Sequence, residues 1–395
     1  MPVFPIAVYP LVYVVRKTKP TATPVKWEKV TRSTVDMRFL DYATYFSHPQ
    51  RPWAIATSDH HHDLLMHIRN QGVALGEIAT VFGAATVAEA YALKPLLCEA
   101  LFWDKEETEA TGTARVEEVL QKPKSKIPNP KLPLKFINSG TIDAYQVLWG
   151  QKPTRYLGDR YQAPIIPRIL EDQLPPRRQR QARQPKLIIA SMTLGLEGIF
   201  DATGEFLAGK STTIIHSTYD LRYLLAILNS SLMSFYYRTE FSGNALSGGY
   251  LRVGPPQLKA LHLVLGTPQQ QQTIINLVDA LMREHALVRE QPQISSRLSV
   301  VPSGTSSSAA HLSATHLSAA YLSAAYLSEA SSPLVSPSTA REQPQTPSLI
   351  QAKAIGQRRC CAIAHQLDHH VATLYGLSST DFHENYGPKK IRSLL

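Results

Sequence analysis

Apolar and polar positions alternate with two different periods along this chain. Strand formers Phe136 and Ile137 precede the turn formers Asn138, Ser139 and Gly140. Beyond them Tyr145, Val147 and Trp149 alternate with Ala144, Gln146 and Leu148, so residues 136–150 predict a β-hairpin. Residues 6–16 (IAVYPLVYVVR) are apolar on both faces and predict a strand that needs cover on both. Strands are also expected over residues 187–199, 212–216 and 257–265. The helical period appears in residues 58–72, where Leu64, Leu65 and Ile68 form the stripe. It returns in residues 221–237, with Leu224, Leu225, Leu228, Leu232 and Phe235, and again in residues 268–289 and 353–374. Gly83, Ala84 and Ala85 predict a close turn, and Thr86 offers a hydroxyl before a short amphipathic piece carrying Glu89 and Tyr91. Residues 17–29, 105–133 and 155–186 read as connections. Residues 290–348 are dominated by Ser, Ala, Pro and Gln and contain a five-residue repeat (AHLSA, THLSA, AYLSA, AYLSE). Four such repeats make too little stacked surface to bury a face, so a disordered insert is expected. Together these elements predict an α+β fold: a β-rich domain with packed helices, a disordered insert and a C-terminal helix.

Composition adds a partner class. The chain has 395 residues, 41 Lys and Arg against 31 Asp and Glu, and a net charge of +10. That balance suits a polyanion, of which nucleic acid is the usual one. Cys98, Cys360 and Cys361 imply no disulfide framework, which fits a reducing cytoplasm. No signal peptide is evident, and no apolar run approaches the roughly 20 residues of a membrane span. His60, His61 and His62 point about 100° apart on a helix, so they cannot share one metal ion. Cys361, His365 and His369 stretch over two turns, too far for one ion, and no metal site is expected.

The sharpest charge feature is PPRRQRQARQPK. Arg177, Arg178, Arg180, Arg183 and Lys186 fall within ten residues with no acid among them. Arginine suits phosphate clamping and bidentate contact with guanine. These five residues, with Arg252, are the candidate DNA-binding residues.

Several stretches, in order, resemble the TaqI-like C-terminal specificity domain of N6-adenine DNA methyltransferases and fused type IIG restriction-modification enzymes. The opening strand with Tyr9, Pro10, Arg16 and Lys17 is similar to the end of a methyltransferase domain. Trp53 and residues 75–91 resemble the start of the recognition domain. Gly83 and Thr86 match a Gly-x-x-Thr-Gly turn, and Val87 stands where a second glycine is common. The hairpin of residues 136–150, residues 185–189, the helix with Leu225, Leu228, Asn229 and Ser230, and residues 250–253 follow. The closing helix carries Ile363, Leu367, Asp368, Val371 and the LYGL run Leu374 to Leu377. The resemblance implies four parts: residues 1–30 ending a methyltransferase domain, 50–290 the target-recognition domain, 291–350 a spacer, and 351–395 a C-terminal helical segment.

It further implies double-stranded DNA as partner, in service of an adenine-specific methyltransferase or restriction-modification system. The family's glycine-rich cofactor loop and Asn-Pro-Pro-Tyr motif, which holds the flipped adenine, are missing from this chain. Gly254-Pro255-Pro256-Gln257 lacks the Asn and the aromatic, and Asn129-Pro130-Lys131 lacks the second Pro. No catalytic, cofactor-binding or metal residues are therefore assigned. S-adenosylmethionine is expected on a missing methyltransferase domain or a subunit encoded upstream. The alternatives are a C-terminal fragment acting as a site-specific adenine N6 methyltransferase, or an inactive remnant of one.

Overall fold

The computed structural model describes residues 14, 24–30, 34–45, 59–100, 132–242, 246, 249–290 and 349–378. Apart from Val14, the strand expected over residues 6–16 lies outside them. So do Trp53, most of the 105–133 connection, and the spacer with its five-residue repeat. The fold is α+β, and the chain forms two compact units: residues 1–278 with 368–395, and residues 279–367.

Two four-stranded sheets carry the first unit. The first is antiparallel, in the order Gly198–Asp201, Lys186–Ala190, Thr212–Ser217, Ala79–Gly83. Every residue of Lys186–Ala190 is buried, as are the first four of Thr212–Ser217. A strand buried on both faces reads as a continuous apolar run, which is why KLIIA does not alternate. Ile188 and Ala190 pack with Ile137, Ile142, Phe206 and Ile214. Ile189 lies beside Gly198, where an added Cβ would also meet Leu225 Cδ1 at 3.3 Å. Glycine at this position lets the helix Leu221–Asn229 press on the sheet, and that helix buries Tyr223 through Leu228 without a break. The second sheet is mixed, in the order Phe206–Ala208, Leu134–Ile137, Pro164–Ile166, Cys98–Glu99, with its first pair parallel.

Six sequence expectations need correcting. The strand expected over residues 187–199 is three strands, Lys186–Ala190, Met192–Thr193 and Gly198–Asp201. Residues 136–150 do not form one hairpin: Leu134–Ile137 is an interior strand paired on both sides. The hairpin lies within the stretch, between Ile142–Asp143 and Gln146–Val147. Its turn uses a positive φ at Tyr145 (64°), while Gly140 has none. The connection at residues 17–29 includes the strand Val25–Val30, which pairs with Val35–Leu40. The connection at 155–186 holds strands Thr154–Tyr156, Asp159–Tyr161 and Pro164–Ile166 and helices Arg168–Glu171 and Pro176–Arg183. The helix expected over 221–237 is two helices, Leu221–Asn229 and Ser231–Glu240, broken at Ser230. There ψ is 153°, and the Ser230 hydroxyl accepts from Met233 N–H as an N-cap. Finally, the strand expected over 257–265 is only His262–Leu263, preceded by the helix Pro255–Lys259.

The polar residues at the helix break and in the tail hold the unit together. Asn229 Oδ1 accepts from Gly198 N–H at 2.8 Å, and its Nδ2 donates to Gly198 C=O at 3.0 Å. Asp368 accepts from the Ser231 N–H and hydroxyl at 2.8 and 2.6 Å. Tyr375 is fully buried and donates to His262 C=O at 2.9 Å. Gly376, at φ 67°, closes the final helix. Leu377 N–H bonds Ala372 C=O and Gly376 N–H bonds Thr373 C=O, the Schellman pattern.

The second unit pairs parts of the helices Pro268–Glu290 and Leu349–Leu374. Glu284 meets Arg359 at 3.7 Å, and Val288 lies against Gly356, so the two run antiparallel. Among the described residues no helix is long and apolar enough to cross a membrane.

Candidate nucleic-acid interface

The arginine run folds because its ends are punctuated. Pro175 is the N-cap and Pro176 sits at the first helical position, where a missing N–H costs nothing. Arg, Gln and Ala are good helix formers, and Gln184 and Pro185 end the helix in extended backbone. The helical period then sorts the charges. Arg178, Gln181 and Ala182 turn inward, while Arg177, Arg180 and Gln184 stay exposed.

Inward and outward residues have different partners. Arg178 is 2 % exposed and donates to the carbonyls of Ala84 and Ala208 and to Gln181 Oε1. Ala84 follows the edge strand of the first sheet and Ala208 lies in the second, so this guanidinium ties the sheets together. Burial pulls its pKa down to about 10, with Glu89 opposing and Arg177 adding to the fall. Lys186 is fully buried. Its ammonium bonds Asp201 Oδ2 at 2.5 Å, Ala182 C=O at 2.6 Å and Gln184 C=O at 3.3 Å, which uses all three donors. Burial lowers the Lys186 pKa, against the pull of Asp201. Arg183 forks onto Glu171 at 2.7 and 2.5 Å. Arg177 forks onto Glu89 at 2.7 and 3.0 Å. Burial pushes the Glu89 carboxyl up, but the bonds from Arg177 and Thr86 outweigh it and hold it below the ordinary range. Glu89 also completes a capping box with Thr86 on the helix Val87–Leu93.

The absence of acids within the arginine run therefore says little about its pairing. Glu89, Glu171 and Asp201 are brought to it by the fold. Arg178 and Lys186 sit inside the protein, where no phosphate reaches them. Arg180 is exposed and makes no hydrogen bond or ion pair among the described residues. Arg252 is exposed on the short strand Leu251–Arg252, paired with Met192–Thr193.

Beside the helix lies an open cavity of about 370 Å³ lined by Phe82, Arg177, Arg180, Gln181, Gln184 and His216. The cavity gathers two of the six expected DNA-binding residues; Arg178, Arg183, Lys186 and Arg252 are not in its lining. Phe82 and His216 come from adjacent strands of the first sheet, and their rings stack at 5.7 Å and 28°. Burial lowers the His216 pKa, against a hydrogen-bond contact between Nδ1 and the Pro185 carbonyl at 3.0 Å; the Lys186 charge lowers it further. Gln181 is 4 % exposed, and its Nε2 has no hydrogen-bond partner among the described residues. Sequence reasoning missed Phe82, His216, Gln181 and Gln184. The two glutamines were legible as a three-residue spacing within the arginine run. The aromatic pair was not, because 134 residues of chain separate its members by number.

Among the described residues no cluster of three or more His, Cys, Asp or Glu side chains could hold a metal ion. Comparison with known protein families and with curated proteins finds no match to this chain.

Proposed function

We propose that this chain is a DNA target-recognition module serving an adenine-specific methyltransferase or restriction-modification system. The observation that carries the reading is the cavity at the arginine helix. It joins an unpaired arginine, a second exposed arginine, two glutamines and a stacked aromatic pair. Those are the groups that meet nucleic acid: guanidinium for phosphate or guanine, carboxamide for the adenine edge, and rings for an unstacked base. The net charge of +10 and the order of family-like stretches point the same way.

In this reading Arg180 contacts phosphate directly, and Arg177 does so when it exchanges Glu89 for DNA. Phosphate contacts set the register, and glutamine and aromatic side chains sample base edges. Arg183 and Lys186 serve by holding the helix in place. S-adenosylmethionine would be held by the methyltransferase partner and not by residues of this interface. The test is an anisotropy titration of the full chain on duplex DNA between 50 and 200 mM salt. Salt-sensitive binding is expected, with a slope that falls by about 0.9 in Arg180→Ala. Absence of binding at 50 mM salt would refute the reading.

A further inference from the structure

Residues Thr154–Tyr156 and Asp159–Tyr161 form a two-stranded ribbon closed by Leu157 and Gly158, at φ 46° and 94°. Two positive φ values at the loop positions define a type I′ turn, the tight connection that matches strand twist. In such a hairpin Tyr156 and Asp159 exchange the closing hydrogen bonds. Arg155 and Arg160 are the next pair, directly opposite each other. They occupy a non-hydrogen-bonded pair, where side chains on one face come closest, with Cβ atoms roughly 5 Å apart.

Both arginines are exposed, and neither makes a hydrogen bond or ion pair among the described residues. Like charges directly opposite weaken a strand pair. The nearby acids are already engaged: Asp159 pairs with Lys94 at 3.0 Å, and Glu99 accepts from Gln162 and Ala163 N–H. The ribbon holds this arrangement because its other face is anchored. Tyr156 is buried, stacks edge-on against Phe136 and donates to Ala90 C=O at 2.9 Å. Lys94 Nζ donates to Leu157 C=O at 2.9 Å. Ala90 lies in the helix Val87–Leu93, and Lys94 caps its end. That same helix carries Glu89, the partner of Arg177. Seven helical residues span about 10 Å, so one short element positions both the ribbon and the arginine helix.

We propose that the Arg155–Arg160 pair grips a backbone phosphate of duplex DNA, making the ribbon a second clamp beside the arginine helix. A phosphate between two guanidiniums turns their repulsion into charge-assisted hydrogen bonds, and its oxygens match the planar forks. The proposal rests on the DNA-recognition reading and adds a contact that reading does not require.

The test uses the full chain with Arg155→Gln, Arg160→Gln, the double substitution and Arg155→Lys, read by anisotropy on duplex DNA from 50 to 200 mM salt and by thermal melting. Because the pair neutralises one phosphate, the double Gln substitution is expected to lower the salt slope by about 0.9 and each single substitution by part of that. Melting temperature should hold or rise, because a repulsive pair has been relieved. Arg155→Lys should keep the slope and weaken binding several-fold, because lysine cannot make the fork. Wild-type binding with an unchanged slope in the double variant overturns the clamp and leaves the recognition reading standing. A wild-type chain that binds no DNA at 50 mM salt overturns both. A double variant that loses slope only because it melts at a lower temperature overturns the clamp as well.

Discussion

Lys186→Met separates a basic residue that builds the interface from one that touches DNA. The Lys186 and Asp201 side chains are both fully buried, 2.5 Å apart. Removing one partner of a buried pair typically costs about 3–5 kcal/mol, because the other charge is left uncompensated. Here Asp201 is not left bare. It also accepts from the backbone N–H groups of Gly204, Glu205 and Phe206 at 2.9, 3.1 and 3.1 Å. Those three bonds continue to stabilise the carboxylate, and methionine fills most of the vacated volume, so the cost should fall near the lower bound, about 3 kcal/mol. Asp201→Ala leaves the buried ammonium without its counter-charge, holding only the Ala182 and Gln184 carbonyls, and leaves three N–H groups unpaired. It should therefore cost about 5 kcal/mol, a large share of an ordinary domain's total. Urea unfolding of both variants measures these costs, and DNA titration of the folded protein measures the interface. Lys186→Met should lose stability while its salt slope stays at the wild-type value. Unchanged stability with a slope reduced by about 0.9 would refute the reasoning and return Lys186 to the phosphate clamp.

Other outcomes follow from the same contacts. Glu89→Gln weakens the fork that holds Arg177, so DNA affinity should rise with a slope increase approaching 0.9; weaker binding would contradict the exchange of Glu89 for phosphate. Glu197 is pushed up to about 7, by burial first and then by Asp143, with bonding from Thr193 and the charge of Lys152 opposing. A carboxyl whose folded pKa exceeds its unfolded value of about 4.3 stabilises the fold below that value. The contribution is lost as pH rises toward 7. Chemical denaturation at pH 4.5 and 8 should show a difference of about 1–3 kcal/mol, discounted for partial exposure, which Glu197→Gln abolishes. Gly204 sits at φ 68°, where an added Cβ would collide with the Arg183 carbonyl, so Gly204→Ala should lower the unfolding free energy by about 2 kcal/mol or more. Asn229→Ala removes both bonds to Gly198 and should cost about 2–3 kcal/mol by urea titration.

The apolar pattern by itself determined the helices Asp59–Gln71, Pro268–Glu290 and Leu349–Leu374, and the central strands Lys186–Ala190 and Thr212–Ser217 of the first sheet, because burial is written in local sequence; the edge strand Ala79–Gly83 was not among the expected strands. The α+β class was legible for the same reason. It also exposed Arg177 and Arg180 as candidates, since a dense basic run is visible without a fold. Only the tertiary structure decided which basic residues are free. Glu89 lies 88 positions from Arg177, Glu171 lies 12 from Arg183, and Asp201 lies 15 from Lys186, and charge cancellation depends on distance in space. The turn at Tyr145 was hidden because its buried ring compensates a backbone conformation that sequence rules reserve for glycine. The break at Ser230 was hidden because Ser and Asn read as tolerable inside a helix. Asp368 and Gly198, which bond Ser231 and Asn229 from distant parts of the chain, are what make two helices the better solution. Arg155 and Arg160 looked like residues of a polar connection until strand register set them face to face.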